Sequence, residues 1–339
     1  MNKEIVNTGE TLLQEQLDRR YSCSPMSEQE IASRVEVKNP NTIFIGIRSV
    51  ARGGITAMSR GLANGALGPD RNPIYLVDNP FKSIMRAQVS APNERAVYTV
   101  PDVPIFADRE QYGFYTRKES TLDAIEIYRF LQIPPSNVRT FYNMRHPVDT
   151  WLSWVKFALH DNRYREQLME NYILSVKECH RQYKRDKRLG IQTTAMVYET
   201  MRENPPSLAM QRLVERLGLI YTDRVVQGWD SGVDPIHYIP YDLGIYTPTA
   251  SDGTNLHDKA KTSTGLSYQT VPDEQVIQLI RRGVITKEDL ERLKNAKIED
   301  IYNSHVLSAS EDLGVHIDPT YRIDRLLKVA WNKWTHKKV

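Results

Sequence analysis

The sequence predicts an α/β protein with a central parallel sheet flanked by helices, on three observations. The segments Phe44–Leu62 (FIGIRSVARGGITAMSRGL) and Thr140–Ser153 (TFYNMRHPVDTWLS) each read as a buried strand that ends in a basic residue and turns directly into a helix. A further apolar run, Ile74–Val77, has strand character and stops at Asp78-Asn79-Pro80. Helical spacing recurs after these runs, as in βα units. With 339 residues, 40% hydrophobic and 26% charged, the chain can bury a substantial core and has an ordinary globular composition.

Residues 1–40 read as an amphipathic N-terminal arm ending in the turn Asn39-Pro40. Residues 41–339 read as a single α/β domain whose C-terminal part, from about 272, is helical. Thr42, Ile43, Phe44 and Ile45 form the first strand, and a loop rich in basic and small residues follows: Arg48, Ser49, Ala51, Arg52, Gly53, Gly54. From Ile55 the spacing turns helical, with Ile55, Met58 and Leu62 on one face. Two glycines before a helix permit positive φ and close approach of an anion. The unpaired amides and dipole of the helix N-terminus supply attraction, and Arg52 adds a planar charge that can grip an oxyanion with two donors. An ordinary tight turn with a solvated arginine would have the same sequence. The loop lacks Gly-Lys-Ser/Thr, so it is no Walker-A motif, and it lacks Gly-x-Gly-x-x-Gly.

Residues 91–114 have a Pro-rich centre, Val100-Pro101-Asp102-Val103-Pro104, and few helical signals, which suits loops on the acceptor side. Leu122–Leu131 is a helix candidate. Val138, Phe141, Tyr142 and Met144 then mark a strand with Arg145 at its carboxyl end. Pro147 suits a first helical turn, Asp149 favours the same positive end, and Trp151, Leu152, Val155 and Leu159 make an apolar face. Arg145 and Ser153 can reach one anion if that helix packs back across the sheet edge; pairing of Arg145 with a nearby carboxylate is the other reading. Tyr164–Lys187 is a long charged helix, and its basic run Arg181–Arg188 reads as a solvated face. The amphipathic Leu208–Leu217 follows. Residues 228–256 set Trp229, His237, Tyr238, Tyr241 and Tyr246 among Gly, Pro and Asp, as a wall of an acceptor pocket or a packed surface loop. Pro272–Leu293 and Ile298–Leu307 read as further helices, and the tail with Trp331 and Trp334 can dock on the core or on a second subunit, as in a homodimer.

Taken together, the two junctions resemble the sulfotransferase family, whose members use 3′-phosphoadenosine-5′-phosphosulfate (PAPS) as sulfuryl donor. Its first motif, Pro-Arg/Lys-Ser-Gly-Thr-Thr/Ser, is matched by Ala51-Arg52-Gly53-Gly54-Ile55-Thr56; its Arg-x-Pro-x-Asp, with a serine eight residues after the arginine, is matched by Arg145-His146-Pro147-Val148-Asp149 and Ser153. Val197-Tyr198-Glu199-Thr200-Met201-Arg202-Glu203-Asn204-Pro205 looks like the family's Tyr-Glu-Asp…Asn-Pro segment, and Lys261-Thr262-Ser263-Thr264-Gly265 looks like its basic Ser-Thr-Gly loop. The resemblance runs from about Thr42 to about Ile280 and implies a P-loop NTPase-like sulfotransferase fold. It implies that Arg52, Gly53, Gly54, Ile55, Thr56 and Ala57 hold the 5′-phosphosulfate, with Arg52 and Thr56 catalytic. Arg145, Ser153, Lys261, Ser263, Thr264 and Gly265 would hold the 3′-phosphate, and Tyr198 would lie near the adenine.

Four departures qualify the match. Isoleucine stands at 55 for a family hydroxyl, Gly53 stands for a serine, and the stretch from Gly46 to Arg52 looks a few residues longer than the common pattern. Tyr115 occupies the place of the catalytic lysine after Tyr112-Gly113-Phe114, with Arg117 and Lys118 just beyond as substitutes. The expected reaction is transfer of a sulfuryl group to a hydroxyl or amine of a small-molecule or saccharide acceptor, releasing adenosine 3′,5′-bisphosphate (PAP). His160, His237, His257 and Glu119 are the candidate bases. A catalytically silent nucleotide-binding relative and a P-loop kinase are the other readings.

The eight histidines show no His-x-x-x-His or His-Glu-x-x-His pattern, and Cys23 and Cys179 have no metal spacing, so no metal is expected. A formal charge of +3 does not by itself call for nucleic acid. The polar first forty residues read as no signal peptide, and no apolar run approaches the roughly 18–20 residues that span a bilayer. Together with the two cysteines as free thiols, this predicts a cytoplasmic protein.

Overall fold

A computed structural model describes residues 26–90, 97–159, 162–227, 236–238 and 271–335. Six strands form one sheet: β2 (Ile43–Val50), β3 (Tyr75–Asp78), β5 (Ile105–Tyr112), β6 (Val138–Met144), β7 (Gln192–Val197) and β8 (Ile236–Tyr238). Their order is β7-β6-β2-β5-β3-β8 and every pairing is parallel. The short β1 (Val35–Val37) and β4 (Tyr98–Val100) make a separate parallel pair. The chain steps from β2 outward to β3, returns to β5, then crosses to β6 on the other side of β2. In open α/β sheets such a reversal leaves a crevice at the carboxyl ends of the strands.

Both faces of the sheet are covered, which is why its strands are apolar on both sides. On one face Ile45, Ile47, Ala107 and Phe141 pack against α2 (Ile55–Gly65), α9 (Pro206–Arg216) and α10 (Arg224–Gln227). On the other, Phe44, Phe106 and Val138 meet α1 (Glu28–Ala32), α3 (Pro80–Ser90) and α5 (Ala124–Phe130). Val50, Tyr112, Tyr142 and Met144 continue that face against α6 (Pro147–Ala158), α7 (Arg165–Arg188) and α13 (Ile298–Leu313). The short α4 (Arg117–Thr121) and α8 (Thr200–Glu203) follow β5 and β7; α11 (Asp273–Arg281), α12 (Lys287–Asn295) and α14 (Ile323–Thr335) complete the C-terminal part.

Several sequence expectations change here. Residues 28–37, read as part of an arm, form α1 and β1, with Ile31, Ala32 and Val35 buried beside Phe44. The stretch 91–114 is not all loop, because β5 is the strand paired on both sides by β2 and β3. Its sequence, with Asp108, Arg109 and Glu110 in succession, imitates an exposed segment, yet all three side chains are buried. Each finds a partner: Asp108 pairs with Arg48, Arg109 with Asp78 at 2.7 Å, and Glu110 accepts from the Phe81 amide at 2.6 Å. The helix expected over Pro272–Leu293 is two helices. Gly283 (φ 72°) turns the chain, and Thr286 with Asp289 forms a capping box that starts α12. The basic run at the end of α7 is only partly solvated: Arg185 binds Asp123 and Asp186, and Lys187 binds Asp312 at 2.6 Å.

Candidate functional site

The first junction begins where β2 ends. The strand runs to Val50, so Arg48 and Ser49 belong to it and not to the loop. The apparent extra length between Gly46 and Arg52 is therefore strand, and the loop proper is only Ala51–Gly54. Three neighbours fix it. The Ala51 amide donates to Tyr112 O (3.0 Å), Trp154 Nε1 donates to Ala51 O (2.6 Å), and Asn143 Nδ2 donates to Gly53 O (2.8 Å). Within that frame Arg52 (φ 66°) and Gly54 (φ 83°) take left-handed conformations, and Gly54 caps α2. The first amides of α2 have no acceptor within the helix. Ile55 turns its side chain into the core, while Thr56 and Ala57 are half-buried.

The second junction leaves β6 at Met144. His146 caps α6, its Nδ1 accepting from the Val148 amide at 3.3 Å, and its own amide donates to Glu199 Oε1 at 3.0 Å. The Tyr198 amide donates to Met144 O at 2.7 Å, which draws the turn after β7 against the turn after β6.

These contacts bring four separate stretches of sequence to one end of the sheet. Arg52 Nε donates to Ser153 Oγ at 3.1 Å, and its guanidinium lies 4.8 Å from the centre of the Phe157 ring. The Arg145 guanidinium lies 4.8 Å from the centre of the Tyr198 ring. That ring also closes on Gly54, where a Cβ would stand 2.3 Å from it. Arg52, Arg145, Ser153 and Tyr198 are all half-buried, and they follow the carboxyl ends of β2, β6 and β7, where a sheet of this topology takes its ligands. Burial pushes the Tyr198 hydroxyl upward, so it stays neutral at physiological pH. Chemically the arrangement suits a ligand with negative charge and a flat face. Lys261, Ser263, Thr264 and Gly265 lie outside the described residues, as do His160 and His257.

Other expected residues do not join this group. Tyr115 is buried in the core and offers no side chain to the crevice. Lys118 turns to Glu28 at 2.6 Å, and Arg117 is exposed. Glu119 is buried, accepts from the Tyr115 amide and pairs with Arg86 at 2.9 Å. Burial pushes its carboxyl up, but Arg86 and Lys82 outweigh this and hold it below the usual carboxylate range. It is thus a fixed anion, ill suited to take up a proton. His237 sits on β8, three strands from β2, stacked on Tyr75 at 4.0 Å.

Sequence reasoning missed Lys82. From the first turn of α3 its Nζ donates to Gly113 O (2.7 Å) and to Gln111 O, so a buried lysine does reach the Tyr112-Gly113-Phe114 turn, from another element. Burial pushes this amine down. Its only sequence signal was a lysine soon after a strand-ending Asn-Pro. Asn143 and Trp154, which clamp the first loop, were legible only as strand and helix positions. No protein-family model matches the chain, and no curated protein matches it.

Proposed function

We propose that the chain is a PAPS-dependent sulfotransferase, transferring a sulfuryl group to a hydroxyl or amine of a small-molecule or saccharide acceptor and releasing PAP. One observation carries the reading. The two junctions, far apart in sequence, meet through Arg52–Ser153 and through Tyr198, which touches Gly54 on one side and Arg145 on the other. A donor with phosphates at both ends of one nucleoside asks for that pairing of permanent charges with an aromatic face.

The residues present fit such a donor. Arg52, the amides of Gly54 through Ala57 and the Thr56 hydroxyl would hold the 5′ end, the Gly53 amide being already donated to Val50 O at 2.9 Å; Arg145 and Ser153 would hold the 3′-phosphate and Tyr198 would face the base. The donor supplies the activated sulfuryl group. The protein's share is to orient it and to compensate the charge that grows toward the 5′-phosphate, which preorganised donors do without reorganising. Among the described residues no helix is long and apolar enough to cross a membrane. We place the activity in the cytoplasm on the reading of Cys23 and Cys179 as free thiols.

A silent nucleotide-binding relative is favoured by a different observation: at two positions where the family carries functional side chains, Ile55 and Tyr115 both face the core. Calorimetric titration with PAP, 5′-AMP and ATP in EDTA tests the site. Micromolar PAP binding with a strong preference over 5′-AMP is expected. No binding, or a preference for ATP restored by magnesium, would move the reading to a kinase. PAP binding without turnover of PAPS on any hydroxyl or amine acceptor would favour the silent relative.

A further inference from the structure

The carboxylate of Asp149 lies one helical turn beyond Arg145, and its side chain is 0% exposed. A buried carboxylate so close would ordinarily take the arginine for itself and leave little attraction for a ligand. Here a second arginine intervenes. Arg322, at the start of α14, donates from Nη1 to Asp149 Oδ1 at 2.8 Å, while Arg145 Nη2 stands 4.0 Å from Asp149 Oδ2. The Val271 amide faces the same Oδ2 at 3.4 Å. Arg322 is itself held in place: its Nε donates to Asp273 at 2.9 Å, its Nη2 to Val271 O at 2.5 Å, and its amide to Glu299 at 2.7 Å. Arg325 then meets Asp273 at 2.5 Å. Charges thus alternate from the crevice to the surface in the order Arg145, Asp149, Arg322, Asp273, Arg325.

We propose that Arg322 is a positioning residue of the nucleotide site, one that compensates Asp149 so that the field of Arg145 is directed to a bound phosphate. Coulomb attraction falls with distance, and the nearer guanidinium sets the carboxylate's balance. Without Arg322, Arg145 is the nearest cation to the buried Asp149 among the described residues, and a phosphate must compete with that carboxylate for it. The inference rests on the reading of Arg145 as the 3′-phosphate ligand, and its test separates the two.

The experiment is calorimetric titration of the full-length chain and its variants with PAP and with 5′-AMP, beside a thermal melt of each. In Arg322→Gln, PAP affinity is expected to fall about tenfold while 5′-AMP affinity holds within about threefold. In Arg322→Gln/Asp149→Asn, which removes both charges, PAP affinity is expected to return to within about threefold of wild type. A purely structural role predicts that the melting temperature falls and recovers in step with these variants while the preference for PAP over 5′-AMP stays unchanged. If wild type does not prefer PAP, the functional reading fails and the inference fails with it. If wild type prefers PAP but Arg322→Gln keeps that preference, weakens both ligands equally, or is not rescued, the inference alone is overturned. Should Arg322→Gln fail to fold, Arg322→Lys keeps the charge and is expected to bind PAP within about threefold of wild type; a tenfold loss in a stable lysine variant would overturn the inference equally.

Discussion

Gly54 holds φ 83°, and the ring of Tyr198 begins where its side chain would stand. Gly54→Ala therefore meets two obstacles. A left-handed alanine costs roughly 1–2 kcal/mol, and its Cβ displaces the ring that supports Arg145. We expect a modest drop in urea-unfolding free energy and at least a tenfold loss of PAP affinity by calorimetry. Ordinary affinity in this variant would remove Tyr198 from the site. Arg52 and Arg145 are expected to separate by kinetics. Arg52→Ala should lower kcat far more than PAP affinity, because losing one preorganised donor costs about 3–4 kcal/mol of transition-state stabilisation. Arg145→Ala should mainly weaken the nucleotide; unchanged PAPS affinity would sink its assignment. The identities of these residues were legible from local spacing, since strand, turn and helix start are encoded within a few positions. Lys82 and Arg322 were not, because their partners lie 31 and 173 residues away.

The strand β5 illustrates what an element hides. Its charged middle, Asp108-Arg109-Glu110, has the composition of a surface loop, and only lateral neighbours make it a strand. Arg48 folds back over Gly46, where a Cβ would lie 2.7 Å from its Nη2, to reach Asp108. Burial pushes the Asp108 carboxyl up while Arg48 opposes it. Removing one partner of a buried pair leaves the other uncompensated, at a cost of about 3–5 kcal/mol. Arg48→Met should thus lose about that much in urea unfolding, and Arg48→Met/Asp108→Leu should lose less than the single variant. If the double variant is the weaker, the pair is not acting as a unit. By contrast β6, α2 and the first half of β2 were readable, because their apolar spacing matched what their faces bury, whereas the second half of β2, with Arg48 and Ser49, read as loop.

At the scale of the whole molecule, α7 and α13 meet at a buried histidine pair, His180 Nδ1 to His305 Nδ1 at 3.3 Å, and His305 Nε2 reaches Tyr142 O at 2.9 Å. Burial, with His305 beside it, pulls His180 down to about 3, and burial pulls His305 down to about 4. Both are neutral in the folded protein at pH 7. Unfolded, they titrate near 6.5, so below that pH the unfolded chain binds more protons than the folded one. The stability they confer is therefore full above about pH 6.5 and declines as the pH falls toward 4. The difference in urea midpoint between wild type and His180→Gln/His305→Gln should narrow between pH 7.5 and 5; a constant difference would mean the folded pair takes up protons as readily as the unfolded chain.

The sequence by itself determined the α/β class, the two strand–turn–helix junctions and the residues at their tips, because periodicity, glycine and proline act over a few positions. Only the tertiary structure decided that β5 is a strand, that Glu119 and Lys118 are committed elsewhere, and that Arg322 reaches Asp149. The physical reason is common to all three. Whether a charge is solvated, ion-paired or directed at a site depends on which distant group folds against it, and a sheet whose neighbouring strands are not consecutive sets that by topology.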